Sequence, residues 1–170
     1  MASRRRRPAT PEETRALAHP LRLRIIRLLY DGPLTNRELS ERLGEQPATV
    51  LYHVRTLART GFIVPDRPRP GPRGSVEKPY RTTGKSWQLS VDVPGPREGV
   101  SRAALGAFLA ELEAAGTRSQ LSTTRLAFDA TAAQLAEFQE RLTELLDELA
   151  LASEPEGDRW SIFIAFNRRP

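Results

Sequence analysis

The 170-residue chain contains no cysteine. That excludes disulfides and thiolate metal sites, and it leaves the compartment open, with the cytoplasm as the default expectation. Histidine is almost as scarce: His19 and His53 are the only two, and they do not stand at metal-ligand spacing. A phosphate-cradling Gly-rich loop and a Ser/His/Asp motif context are also missing. The carboxylates near the end of the chain are spaced as a solvated helix face, so no enzyme, cofactor or metal is expected. No apolar run approaches the roughly 20 residues that a membrane span needs. The arginine-rich start has no apolar stretch behind it, so no secretory signal is expected.

Hydrophobic residues make up 39% of the chain and mean hydropathy is −0.47, the values of a soluble protein with room for one good core or a small domain plus an appendage. The net charge of +5 is unevenly spread. Residues 1–81 carry a net of +9 and residues 82–170 a net of −4. Only the front half is therefore suited to a polyanion.

The stretch from Thr35 to Gly61 organises that front half. Thr35 can cap a helix with Glu38 completing a capping box, and Leu34 and Leu39 are placed as a hydrophobic staple. Gly44 supplies a left-handed stop. Pro47 suits the first turn of a second helix, which ends at Gly61 with Phe62 able to fold back on Leu57. Helix, Gly-containing turn and helix make a helix-turn-helix signature. At 100° per residue Val50, Val54 and Leu57 share a core face, while Ala48, Tyr52, Arg55 and Arg59 share the opposite one, flanked by Leu51 and Thr56. Small residues let a helix approach a major groove, and Arg and Tyr can bond phosphates or bases there. An ordinary solvated helix face explains the same pattern equally well. His53 lies beside the core stripe and is expected to be a half-buried histidine with its hydrogen bonds satisfied.

Four segments, LAHPLRLRIIRLL, ELSERLG, ATVLYHVRTLARTGFIV and KPYRTTGKSWQL, resemble in order and spacing the winged helix-turn-helix domain of the ArsR family of bacterial transcription regulators. The His19–Pro20 pair, the Tyr52–His53 pair and the closing Gly-Phe-Ile-Val stand where that family has them. The resemblance covers roughly the first ninety residues. It implies that Gln46, Ala48, Thr49, Tyr52 and Arg55 lie nearest DNA. The chain departs from the metal-sensing members, which use cysteines on a helix of this domain.

In chain order, residues 1–10 hold Arg4 to Arg7 and are expected to be a disordered basic arm, either a DNA-contacting arm or a solubilising tail. Residues 11–18 form a lead-in helix. The next helix opens at Pro20 with Leu21, Ile25, Leu28 and Leu29 as its apolar stripe, leaving Arg22, Arg24 and Arg27 as solvated charge. After Gly61 the pattern changes to strands, Phe62 to Val64 pairing with Val76 to Thr82. The Pro- and Gly-rich wing at 65–75 runs between them. Arg67, Arg69 and Arg73 of the wing, with Lys78 and Arg81 on the return strand, can lie along phosphates or in a minor groove; the alternative is a polar loop without contacts. Pro79 implies an edge strand or a bulge.

Residues 91–99 read as a linker. The helix expected from Ser101 to Gly116 carries Leu105, Phe108, Leu109 and Leu112 on one face and mostly alanine on the other, so another helix can pack closely on it. The family resemblance implies a homodimer through this helix and a near-palindromic operator with half-sites about one turn apart. In the last third, Leu121 to Ala130 alternates as a strand, and Thr131 and Gln134 form a capping box. The helix they open carries Leu135, Phe138, Leu142, Leu145 and Leu149, too few heptads for a coiled coil. Ser153 to Asp158 reads as a loop, and Trp160 to Phe166 as a final strand with Trp160, Ile162, Ile164 and Phe166 on one side. This appendage can complete the dimer, hold a small-molecule effector, or both.

The expected fold is α+β. A winged helix-turn-helix over 11–90 precedes the 91–99 linker and a 100–170 region with a dimerisation helix and a small strand-helix-strand segment. The expected function is sequence-specific binding of double-stranded DNA by a homodimeric bacterial transcription regulator. Its recognition helix would be 47–60. A winged helix used for protein–protein contact, and an RNA-binding winged helix, are the alternatives.

Overall fold

The computed structural model describes residues 6–90, 96–116, 122–124, 126–154, 157 and 160–168. The chain divides into two compact units, Arg5–Ser119 and a second made of Met1–Arg4 with Gln120–Pro170.

The first unit contains the elements β1 (Arg7–Pro8), α1 (Pro11–Leu17), α2 (Pro20–Tyr30), α3 (Asn36–Leu43), α4 (Pro47–Arg59), β2 (Ile63–Pro65), β3 (Arg69–Pro70), β4 (Val76–Glu77), β5 (Tyr80–Thr82), β6 (Leu89–Ser90) and α5 (Pro96–Ala115). The caps follow the sequence. The Thr35 hydroxyl accepts from Glu38 N while Glu38 accepts from Thr35 N, and Gly44 takes φ 68°. α4 ends in a Schellman arrangement: Phe62 N donates to Leu57 O at 3.0 Å and Gly61 N to Ala58 O at 3.1 Å, with Gly61 at φ 74°. Ile25, Leu29, Leu39, Val50, Val54, Leu57, Phe62 and Ile63 make the inner core, so three helices and the first wing strand share one apolar centre.

The wing is antiparallel, with Ile63 paired to Thr82 and Pro65 to Tyr80; Tyr80 also bridges Leu34 on its other side. The single return strand expected over Val76–Thr82 is broken between β4 and β5 at Lys78–Pro79, because proline cannot donate to a ladder. β3 and β4 close the wing tip, where Arg73 is the single positive-φ non-glycine among the described residues, at φ 55°.

Two expectations at the ends of this unit need correction. The arm is not disordered at its inner end: Arg7 and Pro8 pair in parallel with Leu89 and Ser90, and Ala9 N donates to Ser90 O at 2.8 Å. Arg4 and Arg5 lie outside the described residues. The stretch expected as a linker is already helical from Pro96, with 91–95 outside the described residues, and α5 packs on α1 and α2 within the same unit. It does so through its small side: Ala103 and Ala107 are buried, and Gly106 sits against Pro20. The large side faces outward, with Leu105 45% and Leu109 50% exposed and Phe108 and Leu112 half-buried.

The second unit is built on α6 (Ala132–Leu151), opened by the expected Thr131–Gln134 capping box. Among the described residues, the strands expected on either side are not formed. Residues 126–130 and 160–168 carry no ladder among the described residues, and Leu121 and Arg125 lie outside them. Alternating side chains suit a strand, but a strand exists only where another backbone supplies hydrogen bonds.

Candidate nucleic-acid interface

α4 is held to the core by Val50, Val54 and Leu57, each fully buried, and by His53, which is also buried. Anchoring one face fixes what the other presents. Gln46, Ala48, Thr49, Tyr52, Arg55 and Arg59 are all exposed, Tyr52 to 65%. Asn36 of α3 ties the turn by donating to Pro47 O at 3.0 Å. The result is a convex strip with one aromatic hydroxyl, two guanidinium groups and a small-residue start that lets the backbone approach a surface.

The basic residues of the wing fall into two groups. Arg67, Arg73, Lys78 and Arg81 are exposed; Arg81 makes a long 3.7 Å pair with Asp66. Arg69 differs from its neighbours. Its guanidinium bonds Glu77 at 2.9 Å across the wing and Glu38 of α3. It therefore fastens the wing to the helix-turn-helix rather than standing free toward a phosphate. Glu38 is held below the usual carboxylate range, first by the Thr35 backbone N–H and then by Arg69. Arg59, at the end of the strip, lies 3.3 Å from Glu12 with both side chains largely exposed, a pair weak enough to exchange for another anion.

Several supporting residues escaped the sequence reading, Glu13 among them although its capping box with Thr10 is a local signature. Glu13 is buried and accepts from Arg7 through both oxygens at 2.6 and 2.9 Å, from Thr10 N at 2.8 Å, and from Lys85 at 2.7 Å. The Arg7 hydrogen bonds, with those of Lys85 and Thr10, hold its carboxyl well below the ordinary range. Lys85 also donates to the carbonyl of Thr60, the C-cap residue of α4. Arg22, expected to be solvated charge, donates instead to Ala16 O at 2.6 Å and Arg15 O at 2.7 Å, capping α1. Arg6 lies over the Trp87 ring at 4.1 Å.

His53 also departs from expectation. It is buried, and its Nδ1 has no hydrogen-bond partner among the described residues. Its ring is 4.4 Å from that of His19, whose Nδ1 accepts from Leu21 N. Burial, followed by the nearby His19 and Arg22, lowers its pKa to about 4.

A buried three-helix core, an outward fourth-helix face and an antiparallel wing tied to both define residues 7–90 as a winged helix-turn-helix. Residues 17–65 match the family described as Helix-turn-helix domain. The chain is 34% identical over 73 residues to the HTH-type transcriptional regulator NmtR of Mycobacterium tuberculosis (strain ATCC 25618 / H37Rv), a match covering 37% of this chain and 61% of that one. This chain thus spans about three fifths of the length of the curated relative it matches. Both findings bear out the resemblance to winged helix-turn-helix regulators. A mutant of ZitR from Lactococcus lactis superimposes with a TM-score of 0.36 at 19% identity, over 76% of this chain and 73% of that structure. A score at that level is no likeness of whole folds. Among the described residues, no helix is long and apolar enough to cross a membrane.

Proposed function

We propose that this chain is a sequence-specific DNA-binding transcription regulator that acts in the bacterial cytoplasm as a homodimer and carries out no catalysis. The observation that carries the reading is the outward face of α4, where Ala48, Thr49, Tyr52 and Arg55 are all exposed on a helix whose opposite face is locked in the core. A rigid helix with a small-residue start and donor-rich side chains fits the major groove. The basic front half and the exposed Arg67, Arg73 and Lys78 of the wing supply phosphate contacts alongside it. The name of the NmtR relative, a transcriptional regulator, points the same way.

Dimer formation is supported by the inverted burial of α5. Leucine is normally the side that a helix hides, yet here alanine is hidden and Leu105 and Leu109 are half exposed. A two-fold axis that packs α5 on its mate covers the stripe twice and sets two α4 helices about one DNA turn apart.

The test is a gel shift of the full chain on its own promoter fragment, with single-stranded RNA and unrelated duplex as competitors. Preferential binding of the promoter fragment, weakening steeply with salt, is expected. Equal competition by RNA, or no shift at low salt, would overturn the reading.

A further inference from the structure

The Gln120–Pro170 unit is the least finished part of the molecule. α6 carries Leu135, Phe138, Leu142, Leu145 and Leu149 on one side, yet none of its residues is buried. Beside it, Phe166 meets Phe138 edge-on with ring centroids 6.1 Å apart, while both remain about half exposed. Leu126 and Phe128 before the helix, and Trp160, Ile162, Ile164 and Phe166 after it, are 42–78% exposed together with Phe138, Leu145, Leu149 and Leu151.

Three observations say what covers this surface. The first is backbone. Residues 126–130 and 160–168 have the side-chain alternation of half-buried strands but no ladder among the described residues. Two strands and a helix make too small a sheet to stand alone, whereas four strands with two helices make an ordinary two-layer α/β unit. A second copy supplies the missing two strands and the missing helix.

The second is area. Four aromatic rings, each worth about 200 Å² when fully exposed, leave roughly 400 Å² open at these exposures. The exposed leucines and isoleucines bring the total to the order of the ~800 Å² per partner that a stable interface buries. The third is charge. Glu137, Glu140, Glu144 and Glu148 line the side of α6 opposite its leucines, so two copies repel through that side and can meet only through the apolar one.

We propose that the C-terminal unit is completed in trans by a second copy of this chain. Residues 160–168 of the two protomers pair antiparallel across the two-fold axis, residues 126–130 flank them, and both α6 helices cover one face of the resulting four-stranded sheet. This deepens the homodimer reading but uses a different surface from α5.

The absence of native cysteine makes the test direct, because a single introduced cysteine can form only an intermolecular disulfide. Full-length variants carrying Ser161→Cys, Ile162→Cys, Phe163→Cys, Ile164→Cys or Ala165→Cys would be oxidised with copper phenanthroline and read by non-reducing gel, with Glu144→Cys as the control position. Disulfide-linked dimer is expected to peak at one position and fall on both sides of it, since in an antiparallel self-pair only residues at the axis face their own mates. The same pattern is expected in the Leu105→Asp, Leu109→Asp background. A wild type that sediments as a dimer without a disulfide peak at any of the five positions would overturn this proposal and leave the α5 reading intact. A peak accompanied by no effect of the α5 substitutions on mass or affinity would support it and overturn the α5 reading. A tail that pairs within its own chain, or an apolar ligand in its place, gives no linked dimer and overturns the proposal as well.

Discussion

Folding stability should fall on mild acidification because of a histidine behind the outward face of α4. His53 lies buried on the inner side of α4, against His19, with its pKa lowered to about 4 from an ordinary 6.5. The folded chain therefore disfavours the imidazolium, whereas the unfolded chain accepts the proton at its ordinary pKa. The unfolded state binds more protons between those two values, so the contribution is constant above pH 6.5 and is lost as pH falls toward 4. For a single site with these two pKa values, linkage gives a loss of about 2 kcal/mol between pH 7.5 and pH 5. His19 is shifted in the same direction, by burial and by Arg22, and adds to the loss. The carboxylates with depressed pKa, Glu13 and Glu38, stay charged in the folded state across this window and titrate below it.

The measurement is urea denaturation at half-unit pH steps from 7.5 to 5.0, for the wild type and for His53→Gln. The substitution removes the titrating group but keeps a side chain of similar reach. Its cost at pH 7.5 does not matter, because the test is the slope. Wild-type stability should drop by about 2 kcal/mol over this range and the variant's by distinctly less. Parallel curves would refute the reasoning and show that the imidazole reaches solvent or another acceptor when protonated.

Other outcomes follow from the same geometry. Tyr52→Ala and Arg55→Ala should each weaken specific DNA binding by about 1–3 kcal/mol with thermal unfolding unchanged, as measured by fluorescence anisotropy and calorimetry. Arg73→Ala should lower affinity for all sequences and flatten the salt dependence by up to about one unit of slope. Arg69→Ala should instead loosen the wing, read as faster amide exchange at Glu77 and Tyr80, because Arg69 is held by Glu38 and Glu77. Glu13→Ala removes a buried carboxylate with three donors and one side of a helix capping box; a loss of about 2–4 kcal/mol in chemical denaturation is expected.

The parts of this fold that were legible in the sequence are those decided within a few residues. The capping box at Thr35, the left-handed Gly44 and the stop at Gly61 each depend on neighbours three to five positions away, and the face of α4 follows from its period alone. What escaped depends on distant partners. Nothing local marks Glu13 as the acceptor for Lys85, or Arg69 as a brace between Glu38 and Glu77. The arginine count of the arm suggested a free tail, whereas Arg7 is spent on Glu13 and Pro8 pairs with Ser90. The strand pattern around α6 was visible, but a pattern specifies which side of a strand is apolar and not where its hydrogen bonds go. The alanine and leucine sides of α5 were likewise visible. Their burial order follows from the packing of α5 on α1 and α2, where Ala103 and Ala107 are buried and a Cβ at Gly106 or Gly99 would stand at ordinary contact distance from Pro20 or Ala18.

The packing of α5 on α1 and α2 connects the exposed strip of α4 to the rest of its unit. α4 is positioned from behind by Val50, Val54 and Leu57, and at its end by Lys85, which bonds the Thr60 carbonyl and the Glu13 carboxylate together. Glu13 belongs to α1, and α1 with α2 forms the floor on which α5 lies. A change at α5 therefore has a short physical route to the end of α4, through α1 and one buried carboxylate. In the proposed dimer, a change in how two α5 helices pack on each other would alter the spacing of the two α4 helices while leaving each winged domain internally unchanged. For a reader of two half-sites, spacing is the quantity that decides binding.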